Sequence, residues 1–495
     1  MYNTASENNC QSHDAGITSK SCEKSSGRQD RINNPAGIAD AFSRAKMISY
    51  TEETDRYYPA LLDVLKKIPE WNDAWWLMRY QLTTMLEALD CQVWRSCHFK
   101  ASEKEAEPAA RAGSRFAFHG GYGRMKVRSF PPVGPESKEN ASMKKVLKIV
   151  GRILLALVLV VAAALVVLTV AEYRPADRET VIADHAVQGG LPADRPLTLI
   201  SWNVGYGALG DNADFFMDGG KGVYTADRER VAQNLAGIRE TLTGLDADLI
   251  LLQEVDAASD RSYRTDEREA LRGVLPDASA AFATNFNSLY VPYPLPPIGH
   301  VESGIYTLSR ADIREAERIS LPNPFSWPLR VANLKRCLLV SRIPVEGSER
   351  ELVLVNFHLE AYDSGEGKEA QTRMLRTLLE EEYAKGNYVI AGGDFNQQLE
   401  SLDTSAYPVF EGMWMPGLLS ADAFGEHYSL RMDASVPTCR SLDRPYAGES
   451  DEGFQFYVID GFIVSDNLQV ESLETLNEGF VWTDHNPVRL QVSLR

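Results

Sequence analysis

The stretch Val389-Ile-Ala-Gly-Gly-Asp394-Phe-Asn396 carries the strongest indication of fold in this chain. A short apolar run ends in two glycines, and a carboxylate and a carboxamide follow two residues apart. This pattern predicts a buried strand that delivers two polar side chains to one side of a site. Polar residues at the ends of such strands commonly take part in function.

Three further apolar runs share this design, because each ends in a polar side chain. They are Leu-Ile-Ser-Trp-Asn203, Leu-Ile-Leu-Leu-Gln-Glu254 and Leu-Val-Leu-Val-Asn-Phe-His358. Strand and helix patterns alternate from Leu197 to the end of the chain, which predicts a mixed α/β domain of about 300 residues. Further short strands are predicted at Gly304–Leu308, Cys337–Ser341, Leu352–Phe357, Tyr457–Val464 and Pro487–Val492.

Two amphipathic helices are predicted between these strands. Asp227 is placed to cap the first helix, whose apolar residues at 231, 235, 238 and 242 fall on one face. The second helix runs from about Lys368 to Lys385, and Gly386 is suited to its C-terminal cap. The proline-rich segment Tyr290–Gly299 is predicted to be a loop, since prolines cannot complete a central strand.

The charge of the chain is divided unevenly. From Tyr173 onward there are 28 Lys and Arg residues against 50 Asp and Glu, a formal charge of −22, whereas the first 172 residues carry +4. An acidic domain does not attract polyanions, so nucleic-acid binding is possible but not favoured. Bound divalent cations could reverse the sign locally, so the charge alone does not exclude binding of a polyanion.

A membrane-spanning segment is predicted before the α/β domain. Lys144, Lys145, Lys148 and Arg152 precede nineteen uncharged, mostly aliphatic residues from Ile153 to Ala171, which would span about 28 Å as a helix. The basic flank predicts a cytoplasmic N-terminus and an extracytoplasmic α/β domain. A cleaved signal peptide is the alternative, although the apolar core is longer than is usual for one.

These patterns predict four segments. Residues 1–142 form an N-terminal extension, partly disordered and partly helical, and 143–172 form a transmembrane signal anchor. Residues 173–196 are a linker, and 197–495 are the α/β domain. Met143 with its basic flank is typical of a translation start, so residues 1–142 could be a fused or mis-started extension. The six cysteines are too few for a disulfide scaffold, and the sequence does not decide whether Cys337 and Cys439 pair.

One glycine-rich motif, called here the glycine-rich decoy, resembles a nucleotide-binding motif but lacks the helix that such a motif requires. Gly205-Tyr-Gly207-Ala-Leu-Gly210 matches the glycine pattern of dinucleotide-binding folds, in which a helix opens inside the motif. The first convincing helix starts only near Asp227, so no nucleotide cofactor is expected. The glycines are expected to form a loop beside Asn203.

The polar residues at strand ends and in nearby loops form one candidate constellation. Carboxylates and carboxamides without a cysteine cluster suit a hard divalent cation such as Mg²⁺ or Mn²⁺. An Asp beside a His can fix the tautomer of the ring and raise its basicity. A metal with acidic residues and histidines suits attack of water on a phosphoester. The candidates are Asn203, Glu254, His358, Asp394, Asn396, Asp460, Asp484 and His485.

These residues resemble, motif by motif, the endonuclease/exonuclease/phosphatase superfamily, the DNase I-like phosphoesterases. The matching motifs occur in the family's order from about Leu197 to Val492, and each alone is weak. Gly461 departs from the pattern, because an aromatic residue is common at that position. The motifs are Ser-Trp-Asn203, Gln253-Glu254, Val355-Asn-Phe-His-Leu359, Gly393-Asp-Phe-Asn396, Ile459-Asp460 and Thr483-Asp484-His485.

The resemblance implies a four-layer α/β sandwich and a role for each residue. Glu254 would be the main metal ligand, with Asn203 beside it and Asp484 as a further ligand. Asp394 and Asn396 would orient the attacking water and the phosphate, and His358 would stabilise the pentacovalent phosphorus. His485, held by Asp484, would be a general base or phosphate donor, and Asp460 would complete the network.

Other polar residues nearby are expected to be structural or solvated. Asn356, Glu360 and Asp363 are predicted to lie on the surface or in loops, and Lys335-Arg336 at a solvated edge. The run Glu380-Glu381-Glu382 is predicted to be solvated. The function predicted is a membrane-anchored, metal-dependent phosphoesterase acting on a small phosphoester or phospholipid head group. The alternatives are an extracellular Mg²⁺-dependent nuclease and a non-catalytic, membrane-bound binding protein of the same fold.

Overall fold

The computed structural model describes residues 138–184, 187–275, 277–363, 365–448 and 453–495. The expectations for residues 1–137, including the N-terminal extension, lie outside the described residues.

Two large sheets form the centre of the fold. The first has six strands in the order β16-β17-β2-β3-β5-β4. Its strands β2 and β3 are parallel, and its other pairs are antiparallel. The strands are β2 (Leu197–Asn203), β3 (Leu249–Asp256), β4 (Ser279–Val291), β5 (Gly299–Ser309), β16 (Leu468–Thr475) and β17 (Val488–Leu494).

The second sheet has seven strands in the order β1-β6-β7-β8-β9-β15-β12. Here β8 and β9 are the parallel pair, so each sheet contains one parallel pair near its centre. The strands are β1 (Arg178–Val181), β6 (Glu315–Ser320), β7 (Cys337–Pro344), β8 (Glu351–His358), β9 (Tyr388–Asp394), β12 (Tyr428–Arg431) and β15 (Asp460–Ser465).

The remaining elements lie outside these sheets. Two small two-stranded sheets pair β10 (Gln397–Leu399) with β11 (Gly417–Leu419) and β13 (Cys439–Arg440) with β14 (Phe456–Tyr457). The helices are α1 (Lys138–Val170), α2 (Arg228–Gly244), α3 (Glu267–Arg272) and α4 (Glu366–Ala384).

Three apolar clusters give the domain its layers. Between the sheets, residues such as Leu251 of β3 pack with Leu354 of β8. On the outer face of the six-stranded sheet, Ile238 of α2 and Leu271 of α3 pack with residues of β2 and β3. On the outer face of the other sheet, α4 packs through its buried leucines, including Leu375. The predicted four-layer α/β sandwich is therefore confirmed.

The predicted helix ends agree with the structure. Asp227 precedes α2, and its side chain accepts a hydrogen bond from the backbone N of Arg230 at 2.8 Å. Helix α4 ends at Ala384, and Gly386 takes a φ of +86°, which glycine adopts without strain. Both helices therefore carry the caps that their sequences predict.

The segment predicted to be a linker does not behave as one. Strand β1, within residues 173–196, pairs with β6 at the edge of the seven-stranded sheet. Leu191 is also buried, and its backbone N donates to the Pro344 carbonyl. The domain therefore begins before residue 197, because an edge strand can be added by a short segment with little hydrophobic pattern of its own.

Helix α1 has the length and composition of a membrane span. Its stretch Lys148–Val170 is 23 residues long. In the described part of the chain it is the one helix that is long and apolar enough to cross a membrane. At 1.5 Å per residue it would extend about 34 Å. Its apolar side chains are exposed, so they do not form part of the protein core.

Candidate active site

The strand registers bring the predicted polar residues to one edge of the sandwich. In the six-stranded sheet, Asn203 lies opposite Gln253, next to Glu254. In the other sheet, His358 and Asp460 both lie opposite Asp394. Since the parallel strands end at the same edge, all four strand ends that the sequence singles out converge there.

Glu254 takes a backbone conformation that redirects its side chain. Its φ is +56°, and the register of β3 against β5 shifts between Leu252 and Val255. A bulge of this kind adds a residue to one strand and re-aims a side chain, and bulges are frequent beside functional sites. The Glu254 carboxylate thereby reaches Asn203, whose Nδ2 donates to Glu254 Oε1 at 3.2 Å.

Asp394 is the centre of the hydrogen-bonded cluster. Its Oδ2 accepts from Asn203 Nδ2 at 3.2 Å and lies 3.4 Å from His358 Nε2 and 3.8 Å from His485 Nε2. Its Oδ1 accepts from the backbone N of Asn396 at 2.8 Å. Burial, and then the Asp460 carboxylate, raise the pKa of Asp394 to about 7. The carboxyl group is therefore able to bind or release a proton near neutral pH.

His485 is held by Asp460, not by Asp484 as the sequence suggested. The distance from His485 Nδ1 to Asp460 Oδ2 is 2.8 Å. Asp484 instead accepts from Thr483 Oγ1 at 3.2 Å. Although burial favours a neutral ring, Asp460 and then Cys439 raise the pKa of His485 well above its usual value.

His358 has the opposite character from His485. Burial, and then the nearby positive charges of Arg336 and His485, lower the pKa of His358 well below its usual value. Its buried Nδ1 has no hydrogen-bond partner in the structure, and it lies 3.9 Å from Glu254 Oε1. The pKa values of the two imidazoles beside Asp394 are therefore shifted in opposite directions.

Asn396 joins this cluster through its backbone more than through its side chain. Its φ of +50° lets the backbone N return to Asp394, while its Nδ2 donates to the Leu359 carbonyl at 3.0 Å. Asn has a short polar side chain and tolerates this left-handed conformation better than most residues. The structure thus places Asn396 next to the other candidates, with its amide nitrogen already occupied.

The donor set suits a divalent cation. Burial, and then the charge of Asp484, raise the pKa of Glu254, and burial also raises the pKa of Asp484. Crowded buried carboxylates with raised pKa values are what a bound cation would relieve, and oxygen donors are the ligands that Mg²⁺ prefers. Two sets of potential ligands within 4.8 Å of one another are Asp394, Asp460 and His485, and Cys439, Asp484 and His485.

Arg336, predicted to lie at a solvated edge, and Asn356 and Glu360, predicted to lie on the surface or in loops, are all buried beside the site. The Arg336 side chain is 5% exposed; its Nη1 donates to the His358 carbonyl at 3.1 Å, and its Nε lies 3.3 Å from Glu360 Oε2. Asn356 is fully buried and accepts from Gln253 Nε2 at 2.9 Å, which joins the two sheets. These contacts link distant strands, so local sequence pattern carries no signal for them.

Loops on both sides of the site form its rim. Tyr362 Oη donates to Asp218 Oδ1 at 3.3 Å. Burial, and then the charge of Asp484, raise the pKa of Asp218 to about 7. Gly205, from the glycine-rich decoy, lies in a three-residue 3-10 turn directly after β2, and its backbone N donates to Asn203 Oδ1 at 3.1 Å. Cys439 and Cys337 are both free and buried.

The fold and the cluster define a class of protein with two facing sheets and a polar site at the ends of their central strands. A model of the endonuclease/exonuclease/phosphatase family matches residues 200–485, which includes every candidate residue. The chain belongs to the endonuclease/exonuclease/phosphatase family. No curated protein matches the chain.

Several solved structures are similar to this chain at low identity. An endonuclease/exonuclease/phosphatase from Beutenbergia cavernae is 19% identical, with a TM-score of 0.40 over 61% of this chain and 72% of its own. The human Nocturnin catalytic domain with bound sulfate is 16% identical, with a TM-score of 0.38 over 64% and 98%. A mannosyl-6-phosphatase from Bacteroides thetaiotaomicron is 17% identical, with a TM-score of 0.38 over 60% and 100%.

Proposed function

We propose that this protein is a membrane-anchored, divalent-metal-dependent phosphoesterase that hydrolyses a small phosphoester or a phospholipid head group by attack of water. The observation that carries this proposal is the contact of one carboxylate, Asp394, with Asn203, His358 and His485 at a single edge of the sandwich. The proposed cation is Mg²⁺ or Mn²⁺. The proposed membrane segment is α1, with the catalytic domain extracytoplasmic because of the basic flank before it.

Each side chain has a proposed part in the reaction. Glu254, Asn203 and Asp484 would hold the cation, which would supply positive charge next to the phosphoryl oxygens. His485, charged and fixed by Asp460, would donate a hydrogen bond to a phosphoryl oxygen. Of its two suggested roles, the raised pKa favours phosphate donor over general base.

Asp394 is proposed to accept the proton of the attacking water. Its oxygens lie among donors on both sheets, and its pKa of about 7 suits a group that accepts a proton at neutral pH. His358 would stabilise the phosphoryl group from its place beside Asp394, with Nε2 at 3.4 Å from Asp394 Oδ2. Asn396 would orient water and phosphate with the part of its amide that Leu359 does not occupy.

The acidic domain and the adjacent apolar helix favour a lipid or a small ester over a polynucleotide. If the protein is instead an extracellular nuclease, it will cut plasmid DNA when Mg²⁺ is present. A non-catalytic binding protein would bind a phosphoester without turnover. Such a protein would not need two histidines with oppositely shifted pKa values around one carboxylate.

The decisive experiment uses the full-length protein in detergent, with and without Mg²⁺. The substrates are phosphatidyl and sphingomyelin head groups, a chromogenic phosphodiester and DNA, each also tested on Asp394→Ala and His485→Ala. His427→Ala is the matched control, because His427 pairs with Asp466 at 3.1 Å at the far end of β15.

Hydrolysis that requires Mg²⁺, is lost in both site variants and survives in the control supports the proposal. Preference for DNA would favour the nuclease instead. Tight binding of a phosphoester without turnover under any of these conditions would favour the binding protein.

A further inference from the structure

The membrane helix joins the domain at the edge that carries the site. Seven residues after Val170, the Asp177 carbonyl accepts from the backbone N of Ser320 at 2.8 Å. Ser320 lies opposite Cys337 in the sheet, and the next residue of β7 lies opposite the neighbour of His358. The end of α1 is thus linked to the site edge through two strand pairs.

The loop between β6 and β7 contacts the last turn of α1. Trp327 Nε1 donates to Thr169 Oγ1 at 3.1 Å, and Thr169 belongs to the membrane-length stretch. Just beyond the helix, Glu172 lies 3.1 Å from Arg330 and 3.4 Å from Lys335. If Val170 ends a membrane span, Trp327 sits at the interface between hydrocarbon and water, where Trp is enriched.

A second loop beside the first also exposes apolar side chains. Val291 and Ile298, which flank the proline-rich loop after β4, pack in one cluster with Ala332 and Leu334 of the first loop. Leu295, at the tip of this second loop, is 88% exposed. The exposed apolar side chains at the end of β4 and in the two loops, named here the apolar rim, are Leu289, Tyr290, Leu295, Trp327 and Leu329.

The apolar rim adjoins the mouth of the site. Tyr224 Oη donates to the Pro297 and Ile298 carbonyls at 3.2 and 3.1 Å, and Phe216 packs edge-on against Tyr293. Phe216 belongs to the same short 3-10 turn as Asp218 of the site rim. The loop that exposes Leu295 is therefore one contact away from the residues that border the site.

We propose that the apolar rim docks onto the surface of the bilayer that holds α1, so that the site opens toward that surface. The inference rests on the proposed membrane anchor and narrows the proposed substrate to a lipid phosphoester in the adjacent leaflet. Leucine, tyrosine and tryptophan side chains next to a membrane helix would each gain by leaving water for the interface. The alternative occupants, a second copy or a soluble partner, are outcomes of the test.

The opposite end of the sheet provides a matched control. Ile182 is 94% exposed and lies beside Asp184, which bridges to Ala280 at the start of β4. From Ala280 to Val291 the strand extends about 36 Å, at roughly 3.3 Å per residue. Ile182 is thus a large exposed aliphatic residue that the proposal places away from the bilayer.

The test is photocrosslinking to lipid in the full-length protein, reconstituted in phosphatidylcholine vesicles. A benzophenone amino acid is placed at 295, at 182 or, as positive control, at Leu159, an exposed residue in the middle of the membrane-length stretch. We expect lipid adducts from positions 159 and 295 and none from 182.

The outcomes separate the anchor from the docking surface. No adduct at 159 would overturn the membrane anchor and, with it, the docking surface. An adduct at 159 with none at 295 would leave the anchor in place and overturn the docking surface. Protein–protein adducts at 295 in place of lipid adducts would indicate a second copy or a soluble partner, which also overturns it.

A second measurement connects docking with catalysis. Leu295→Asp and Ile182→Asp are compared for turnover of a phospholipid in vesicles. We expect Leu295→Asp to lower turnover by about tenfold, roughly the factor for one leucine that leaves water, and Ile182→Asp to leave it unchanged. Equal turnover of the two variants would contradict a lipid substrate reached through the apolar rim.

Discussion

The described chain contains a His–Asp pair at the candidate site and another far from it. Comparing the two pairs can distinguish a role in catalysis from a role in structure. His485 and Asp460 are buried at the site edge, whereas His427 and Asp466 are exposed at the other end of β15. Both pairs have the imidazole Nδ1 within 3.1 Å of a carboxylate oxygen. A substitution in one pair therefore has a chemically matched counterpart in the other.

We predict that Asp460→Asn lowers kcat by about 10²- to 10⁴-fold, the range for a group that orients and charges a catalytic histidine. The Asn amide cannot stabilise the charged ring, so the fraction of charged His485 falls. Turnover of a chromogenic phosphodiester measures the effect, and Asp466→Asn is expected to retain wild-type turnover. Equal, small effects of both substitutions would contradict the role of Asp460.

Glu382 belongs to an acidic run but forms specific ion pairs in the folded domain. Its side chain is 2% exposed and pairs with Arg342 and Lys385, whereas its neighbour Glu381 is exposed. Although burial opposes ionisation, the hydrogen bonds from Arg342 and Lys385 lower the pKa of Glu382 to about 2. The prediction of a solvated run is thus wrong for this residue, because Arg342 on β7 meets it only in the folded chain.

We predict that Glu382→Gln lowers the free energy of unfolding at pH 7 by about 1–3 kcal/mol, with Glu381→Gln as the neutral control. Because the folded-state pKa is depressed, the stabilisation is present above pH 4.5 and is lost as the pH falls toward 2. Denaturant unfolding at several pH values measures this. A difference between wild type and Glu382→Gln that does not shrink at low pH would contradict the assignment.

At the scale of elements, close approach of strands fixes the geometry of the site. Gly393 directly precedes Asp394, has a φ of +155°, and would place an added Cβ against the Phe357 carbonyl of β8. Gly461 on β15 would likewise direct a side chain into the Arg431 carbonyl of β12. This contact accounts for a glycine where an aromatic residue is common in the family.

We predict that Gly393→Ala destabilises the domain by more than about 3 kcal/mol and displaces Asp394, since backbone atoms cannot move aside. The matched control is Gly386→Ala, which also has a positive φ but nothing within 4 Å of the added Cβ. Its expected cost is about 1–2 kcal/mol, the cost of a left-handed conformation alone. Thermal unfolding of both variants tests the difference, and similar losses would contradict it.

At the scale of the whole molecule, residues 173–495 carry a formal charge of −22, and four of their carboxylates, Glu254, Asp394, Asp460 and Asp484, belong to the site where the cation is proposed. The raised pKa of Glu254 means that its ionised form is disfavoured in the fold without a cation. A cation that binds only the folded state adds stability by mass action.

We predict that Mg²⁺ at about 100 times its Kd raises the unfolding temperature by about 3–8 °C. Glu254→Gln is expected to lose most of this shift and to be at least as stable as wild type in EDTA, because it removes a repelled charge. Calorimetry with NaCl at matched ionic strength is the control. The same Mg²⁺ shift in Glu254→Gln would contradict a cation at this residue.

The resemblance to a known family implied the family and the four-layer sandwich, whereas the sequence by itself predicted the mixed α/β domain and the eight residues that gather at one edge. These depend on local patterns, because the apolar runs specify buried strands. The polar side chain that ends each run is then Asn203, Glu254, His358 or Asp394. Helix caps such as Asp227 are local as well, since the cap and its partner are three residues apart. The apolar stretch in α1 follows from composition alone.

Only the tertiary structure decided which of these residues touch. The partner of His485 is Asp460, 25 residues away, and not its neighbour Asp484, because strand pairing sets the contact. The burial of Arg336, Asn356 and Glu382 depends on partners from other strands or helices, which no local pattern encodes. The site edge meets the end of the membrane-length helix for the same reason: Asp177 and Ser320 are neighbours only once the sheet has formed.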